Sequence, residues 1–170
     1  LGDIMQAGQA LLAASGFHQY EISAYARHGR ACRHNRNYWE FGDYLGIGAG
    51  AHGKLTMPHY RVQRRSKQRQ PAAYLGTVAQ GALSSERSVG DDELPVEFML
   101  NALRLSAGVP AELFAQRTGL GRDALSSALL QARRRGLMVD DPNVLQATPR
   151  GRRYLNDLLA LFEPDAEKAG

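Results

Sequence analysis

Cysteine is almost absent from this chain of 170 residues, which contains Cys32 and no other. A disulfide framework needs pairs of cysteines and an iron–sulfur cluster needs several thiolates, so a chain with one thiol can form neither by itself. The sequence also lacks a long apolar run and, at its start, a basic stretch followed by an apolar one. These absences predict a cytoplasmic protein without a membrane span or signal peptide.

Acidic residues are missing from a long internal stretch, because none occurs between Asp43 and Glu86. Residues 1–85 contain ten Lys or Arg against four acids, whereas residues 86–170 contain eleven against thirteen, so the halves carry net charges of +6 and −2. All five histidines and the one tryptophan also lie in the first half. We therefore expect any chemistry in residues 1–85.

The first half combines helical and strand patterns. Apolar residues at helical spacing predict a helix over 3–14, and aromatic and β-branched residues predict a strand over 17–23. A second buried strand is predicted over 44–51, and a short helix over 72–80. Two strands cannot close a sheet, so this half is expected to be an incomplete piece of an α/β architecture.

The second half has the pattern of a winged helix. Three helices are predicted over 95–105, 110–118 and 122–135, each with an early proline or a glycine just past its end. Turn residues at 140–143 predict a hairpin, and Thr148 is a suitable N-cap for a last helix. The predicted boundaries are a first domain at 1–83, a polar linker at 84–92, a winged-helix-like domain at 93–163 and a loose tail at 164–170.

Three glycines, Gly48, Gly50 and Gly53, have the spacing of a dinucleotide-binding loop. Such a loop should continue into a helix and be followed, about twenty residues later, by an acid that binds the ribose. Neither condition is met here, so the glycines more simply indicate a strand end that is tightly packed or approached by a ligand.

A second cluster combines a thiol, an imidazole, two amides and two aromatic rings within eight residues, Cys32–Trp39. Imidazole or thiolate can ligate haem iron, aromatic rings pack on the macrocycle, and arginines such as Arg33 and Arg36 suit its propionates. The residues by themselves favour an ordinary polar loop, with a Tyr–Trp pair packed under it, over a ligand site. Paired spacing typical of a zinc site is absent.

Two basic segments have ordinary explanations. The run over 61–69 is most simply a solvated face, with an acidic or phosphate-bearing partner as the alternative. Residues 122–135 resemble a recognition helix, but their half of the chain carries −2 and the arginines lie at the helix C-terminus, where they complement the helix dipole. Phosphate contacts dominate DNA affinity, so an interaction module is favoured over DNA binding.

Three motifs at 19–26, 32–39 and 44–53 together resemble HemW-type haem chaperones of the radical S-adenosylmethionine family. The resemblance implies an α/β plus α+β fold, in which the end of an incomplete radical S-adenosylmethionine α/β barrel precedes a small winged-helix-like domain shared with oxygen-independent coproporphyrinogen III oxidases. It also implies that this chain is the C-terminal part of a longer protein, because the family's cluster-binding C-x-x-x-C-x-x-C is absent.

The same resemblance implies the site residues. The haem-associated motif H-N-x-x-Y-W is matched by His34, Asn35, Tyr38 and Trp39. His34 is then the candidate iron ligand and Cys32 a second one. Residues matching a strand near the adenosyl group of S-adenosylmethionine are Gly46, Ile47, Gly48 and Ala49. The cofactors implied are haem and, in the full-length protein, S-adenosylmethionine and one 4Fe–4S cluster whose ligands lie outside this chain.

The implied function is to bind haem and deliver it to acceptor haemoproteins, which could lie at the membrane. No nucleic acid is expected as a partner, and an unpaired barrel edge would allow a homodimer. Two alternatives remain at this point. One is an oxygen-independent coproporphyrinogen III oxidase, although this part of the chain alone is not expected to be catalytic, and the other is a winged-helix DNA-binding protein.

Overall fold

The computed structural model describes residues 2–164. The first half of this range contains three helices and five strands, which are α1 (Gly2–Ala14), β1 (His18–Glu21), β2 (Ala24–Ala26), α2 (Arg33–Trp39), β3 (His52–Thr56), β4 (Val62–Lys67), α3 (Pro71–Thr77) and β5 (Leu83–Ser88). The second half contains α4 (Leu94–Ala102), β6 (Val109–Pro110), α5 (Glu112–Thr118), α6 (Ser126–Arg134), β7 (Val144–Leu145), α7 (Pro149–Arg153) and α8 (Leu155–Leu159). Short 3₁₀ helices lie at Pro58–Tyr60, Val78–Gln80, Arg122–Leu125 and Ala160–Phe162.

The strands form three small sheets, and every pairing among the described strands is antiparallel. β1 and β2 form a hairpin, β3, β4 and β5 form a meander in that order, and β6 pairs with β7. The predicted strand over 17–23 is thus present in shortened form as β1. The basic run that was expected to be a solvated face becomes β4, the central strand of the meander.

The predicted strand over 44–51 does not form. Its pairing is limited to one bridge between Tyr44 and Lys54, because Gly48 and Gly50 adopt φ of +103° and +71° and turn the chain back toward β3. These φ values are open to glycine and strained for other residues. The stretch is therefore a glycine-rich loop, and β3 rather than a helix follows it, in agreement with the rejection of a dinucleotide site.

Residues 84–88 of the predicted linker over 84–92 form part of β5. β4 would otherwise leave one edge of the meander unpaired, and β5 satisfies that edge with cross-strand pairs such as Arg65 with Glu86. Val89 then enters the core, leaving only a short turn before α4. Where one domain ends and the next begins stays a prediction.

The second half follows the predicted winged-helix order, with a small strand, β6, that was not predicted. The expected hairpin is present, since Val139 donates to the Gln146 carbonyl and a bridge joins Met138 to Ala147. The Thr148 hydroxyl accepts from the Gly151 N–H at 3.0 Å, which confirms the predicted N-cap. Of the predicted tail, residues 165–170 lie outside the described range.

One hydrophobic core crosses both halves. Phe98, on α4, is fully buried and packs against Phe41 from the first half and Phe114 from α5, with ring centroids 5.5 and 5.3 Å apart. α2 and α4 are therefore neighbours, and this contact positions the cluster Cys32–Trp39 against the second half.

Candidate functional site

The predicted haem motif lies on α2, a helix of seven residues. Cys32 occupies its N-cap position but makes no side-chain capping bond, and no residue of α2 is fully buried. An ion pair between Arg36 and Glu40 supports one side of the helix. Helices this short are marginal in water, so α2 depends on contacts with the rest of the protein. The segment was expected to be a polar loop, and its helical form divides the motif between two faces.

His34 and Tyr38 share the outer face, because residues four apart on a helix are neighbours. Their ring centroids are 4.7 Å apart and nearly perpendicular. Tyr44 extends this aromatic surface at 4.2 Å from Tyr38, and its hydroxyl accepts a hydrogen bond from Arg64 at 3.0 Å. His34 and Cys32 are both exposed, and the imidazole of His34 lies beside the Tyr38 ring.

Asn35 and Trp39 share the inner face of α2. The Asn35 amide donates to the Tyr20 hydroxyl at 3.0 Å. The Trp39 ring packs against the core, and the Arg104 guanidinium lies 4.2 Å from the indole centroid. These two residues therefore anchor the helix, whereas the sequence had led us to expect all four motif residues to face the ligand.

A buried lysine holds the chain just after α2. Lys54 is 1% exposed, and its ammonium donates to the Phe41 carbonyl at 3.0 Å and the Asp43 carboxylate at 2.9 Å. Burial lowers the pKa of Lys54, against the opposing effect of Asp43. For Asp43 burial raises the pKa, but hydrogen bonds from Lys54 and Thr56 outweigh burial and the pKa is lowered. The contacts of Lys54 therefore indicate a structural role.

The predicted S-adenosylmethionine stretch lies in the glycine-rich loop. A Cβ on Gly46 would lie 2.3 Å from the His52 carbonyl oxygen, so backbone packing explains that glycine. A Cβ on Gly48 would meet nothing within 4 Å, and Ile47 is 87% exposed. Ala49 is exposed as well. Ile47 and Ala49 are thus exposed, whereas Gly46 and Gly48 are half-buried.

Comparison with known protein families identifies part of the chain. Residues 90–154 match the family model described as the HemN C-terminal domain. The chain contains a HemN C-terminal domain. The matched residues contain α4 to α7 and the wing, whereas α8 lies beyond them, and they include Arg104, whose guanidinium packs on Trp39.

Individual relatives match nearly the whole chain. "Heme chaperone HemW" of Escherichia coli (strain K12) is 44% identical over 95% of this chain and 42% of its own length. The protein of the same name from Haemophilus influenzae is 43% identical over the same shares. The chain therefore spans about two fifths of the length of the curated relatives it matches, and the predicted resemblance to HemW-type proteins is confirmed.

A solved structure confirms the fold class. Coproporphyrinogen III oxidase (HemN) from Escherichia coli, described as a radical SAM enzyme, matches 95% of this chain and 40% of that chain with a TM-score of 0.65. The sequences are 19% identical, so the match establishes a common fold. The small sheets and helices of this chain therefore have the HemN-type fold.

Two arginines of the predicted recognition helix, Arg122 and Arg133, are engaged within the HemN C-terminal domain. Arg133 on α6 turns toward its own wing, where it lies 3.7 Å from Asp140 and donates to the Asp141 carbonyl. Arg122 donates to the Pro142 carbonyl in the same wing. Guanidinium groups engaged in this way are less available for phosphates.

Two features considered from the sequence were a metal site and a membrane span. Within residues 2–164, no three His, Cys, Asp or Glu side chains are grouped so that they could hold a metal ion. None of the described helices is long and apolar enough to cross a membrane.

Sequence reasoning missed Tyr44, Arg104 and Glu21 as neighbours of the motif. Tyr44 was assigned to a strand, Glu21 lies in the motif at 19–26 without having been given a role, and Arg104 belongs to a segment with no motif of its own. Their importance depends on tertiary proximity, and no local pattern in the sequence could have indicated it.

Proposed function

We propose that this protein binds haem and delivers it to acceptor haemoproteins. The observation that carries the proposal is the outer face of α2, where an exposed imidazole stands beside two aromatic rings in a chain similar to proteins named heme chaperone. Neutral imidazole is a common protein ligand of haem iron, and aromatic faces give apolar contact with the macrocycle. Haem is the cargo in this proposal.

The roles of the motif residues follow from its two faces. His34 supplies the axial ligand through a ring nitrogen, and Cys32, exposed at the start of α2, is a second candidate ligand. Tyr38 and Tyr44 form the apolar wall. Asn35 and Trp39 serve the site by holding α2, since both side chains point to the body of the protein.

The full-length protein is proposed to use S-adenosylmethionine and a 4Fe–4S cluster, as the HemW-type and HemN-type resemblance implies. Residues 47–49 fit an adenosyl group, because Ile47 and Ala49 are exposed and a ligand can approach the Gly48 backbone closely. The cluster does not fit this chain, whose one cysteine is Cys32. Its ligands would come from residues outside the chain.

The proposed site is tested by titrating haem into the protein and its His34→Ala variant while following the Soret band. We expect the variant to bind haem at least about tenfold more weakly, since it loses an axial bond. His28→Ala is the matched control, because His28 is also exposed but lies outside α2. Equal binding by the wild type and His34→Ala, with the fold intact, would remove His34 from the site.

A further inference from the structure

The inner face of α2 contains an arginine–tryptophan contact that the haem proposal does not use. The Arg104 guanidinium stacks on Trp39 with 4.2 Å between its central carbon and the ring centroid. The Trp39 indole N–H is buried and has no hydrogen-bond partner among the described residues. Trp39 is therefore held by ring packing and by this cation rather than by a hydrogen bond.

Glu21 holds Arg104 in place from the other side. This carboxylate is 2% exposed, and one of its oxygens lies 3.4 Å from the Arg104 guanidinium. Its other oxygen accepts hydrogen bonds from the backbone N–H and the hydroxyl of Ser23. Among the residues that the structure describes, Arg104 is the one basic partner within ion-pair distance of Glu21. A buried carboxylate requires such a partner, so the pair is tightly constrained.

Backbone hydrogen bonds join the same elements. The Ile22 N–H donates to the Arg104 carbonyl at 3.1 Å, and the Ser106 N–H donates to the Tyr20 carbonyl at 3.0 Å. The Tyr20 hydroxyl in turn accepts from Asn35 on α2. The β1–β2 hairpin is thus attached both to the segment after α4 and to the motif helix.

We propose that Arg104 and Glu21 are positioning residues through which the HemN C-terminal domain holds the haem-binding helix in its orientation. The assignment of haem as ligand rests on the function proposed above. α2 is too short to be stable alone, and its inner-face residues, Asn35 and Trp39, are four apart, as are the outer-face His34 and Tyr38. A constraint on Trp39 therefore fixes the direction of His34.

The first arm of the test uses haem-free full-length protein. Arg104→Gln removes the charge and leaves a shorter polar side chain, so we expect amide exchange of residues 33–39 to accelerate about tenfold and the emission of Trp39 to change. Emission of Trp39 is isolated by subtracting a Trp39→Phe sample. Arg27→Ala is the matched control, because Arg27 also stacks on an aromatic ring, that of Phe17 at 5.2 Å, away from α2.

The second arm measures haem. At saturating haem, Arg104→Gln should shift the Soret band, change the ligation of the haem iron, or both, and haem should be lost severalfold faster. Arg104→Lys keeps the charge beside Glu21, so it should restore part of the wild-type spectrum. Denaturant midpoints are measured in parallel, so that a general loss of stability is recognised. Glu21→Gln should reproduce the effect of Arg104→Gln, because it releases the arginine.

The outcomes separate this proposal from the haem assignment. Unchanged amide exchange in α2 of Arg104→Gln overturns the positioning role whatever the haem result. Accelerated exchange with an unchanged Soret band, or an equal loss of stability at every probed segment, also overturns it. If exchange accelerates but the wild type itself binds no haem, the positioning of α2 by Arg104 stands and the haem function fails.

Discussion

Lys54 illustrates how one side chain can control the region after the motif helix. Its ammonium is buried, donates to Asp43, Thr56 and the Phe41 carbonyl, and lies 4.1 Å from the centre of the Phe41 ring. Phe41 itself adopts a positive φ of 55°, which a residue with a side chain rarely does. The burial of its ring and the bond from Lys54 offset the cost of that backbone conformation.

Asp43→Asn is predicted to lower the free energy of unfolding by about 3 kcal/mol at neutral pH, because it leaves the Lys54 charge buried without a counter-ion. Lys54→Met should cost less, about 1–2 kcal/mol, because the Asp43 carboxylate that remains is 42% exposed. Urea unfolding of both variants measures the difference. An exposed control, Asp91→Asn, should change the free energy of unfolding by less than about 0.5 kcal/mol.

The difference in the free energy of unfolding between the wild type and Asp43→Asn should also become smaller as the pH is raised. Burial puts the folded-state pKa of Lys54 below its usual 10.5, so between those two values the folded state binds fewer protons than the unfolded state. The free energy of unfolding therefore rises with pH in that window. The rise is larger in Asp43→Asn, because the Asp43 carboxylate no longer stabilises the protonated form of Lys54. Urea unfolding of the wild type and of Asp43→Asn, at neutral pH and at about pH 10, measures this change. If the difference between the two proteins does not change with pH, the buried charge of Lys54 is not its cause.

At the scale of elements, the end of α2 is set by a close approach of two backbone segments. The Gly42 N–H donates to the Asn37 carbonyl at 2.7 Å, and the Asn37 amide donates to the Asp43 carbonyl at 2.9 Å. A Cβ on Gly42 would lie 2.2 Å from the Asn37 side-chain oxygen and 2.8 Å from its carbonyl oxygen. No side chain fits there without moving the helix end.

Gly42→Ala is therefore predicted to lower the free energy of unfolding by about 1–3 kcal/mol and to weaken amide protection in α2. Gly76→Ala is the control, since a Cβ on Gly76 in α3 meets nothing within 4 Å, and it should stabilise the protein by up to about 1 kcal/mol. Thermal unfolding and hydrogen exchange distinguish the two. Equal effects of both substitutions would show that the contact with Asn37 is unimportant.

At the scale of the whole molecule, the aromatic series Phe41, Phe98 and Phe114 makes the two halves one hydrophobic unit. Phe98→Ala is predicted to cost about 3–5 kcal/mol and to reduce exchange protection in β1 as well as in α5. Leu100→Ala on the same helix is the control, because Leu100 is 52% exposed and should cost little. Lost protection in α5 alone would mean that the halves unfold independently.

The sequence by itself determined the features that depend on local chemistry. Thr148 and Pro149 predicted the start of a helix, and the turn residues 140–143 predicted the wing. Glycine correctly marked the ends of α5 and α6, whereas Pro110, predicted to begin a helix, lies in β6. The motif H-N-x-x-Y-W identified the family, which relatives then confirmed. Caps, turns and motifs involve residues close in the chain, so their pattern is visible without a fold.

Only the tertiary structure decided how the motif is used. Asn35 and Trp39 turn inward because Tyr20 and Arg104 receive them, and β5 is a strand because β4 offers it an edge. The glycines after Tyr44 form a loop, since the backbone of His52 occupies the space beside Gly46. Each of these features depends on groups far apart in sequence, whose contacts outweigh local propensity and appear only when the chain is folded.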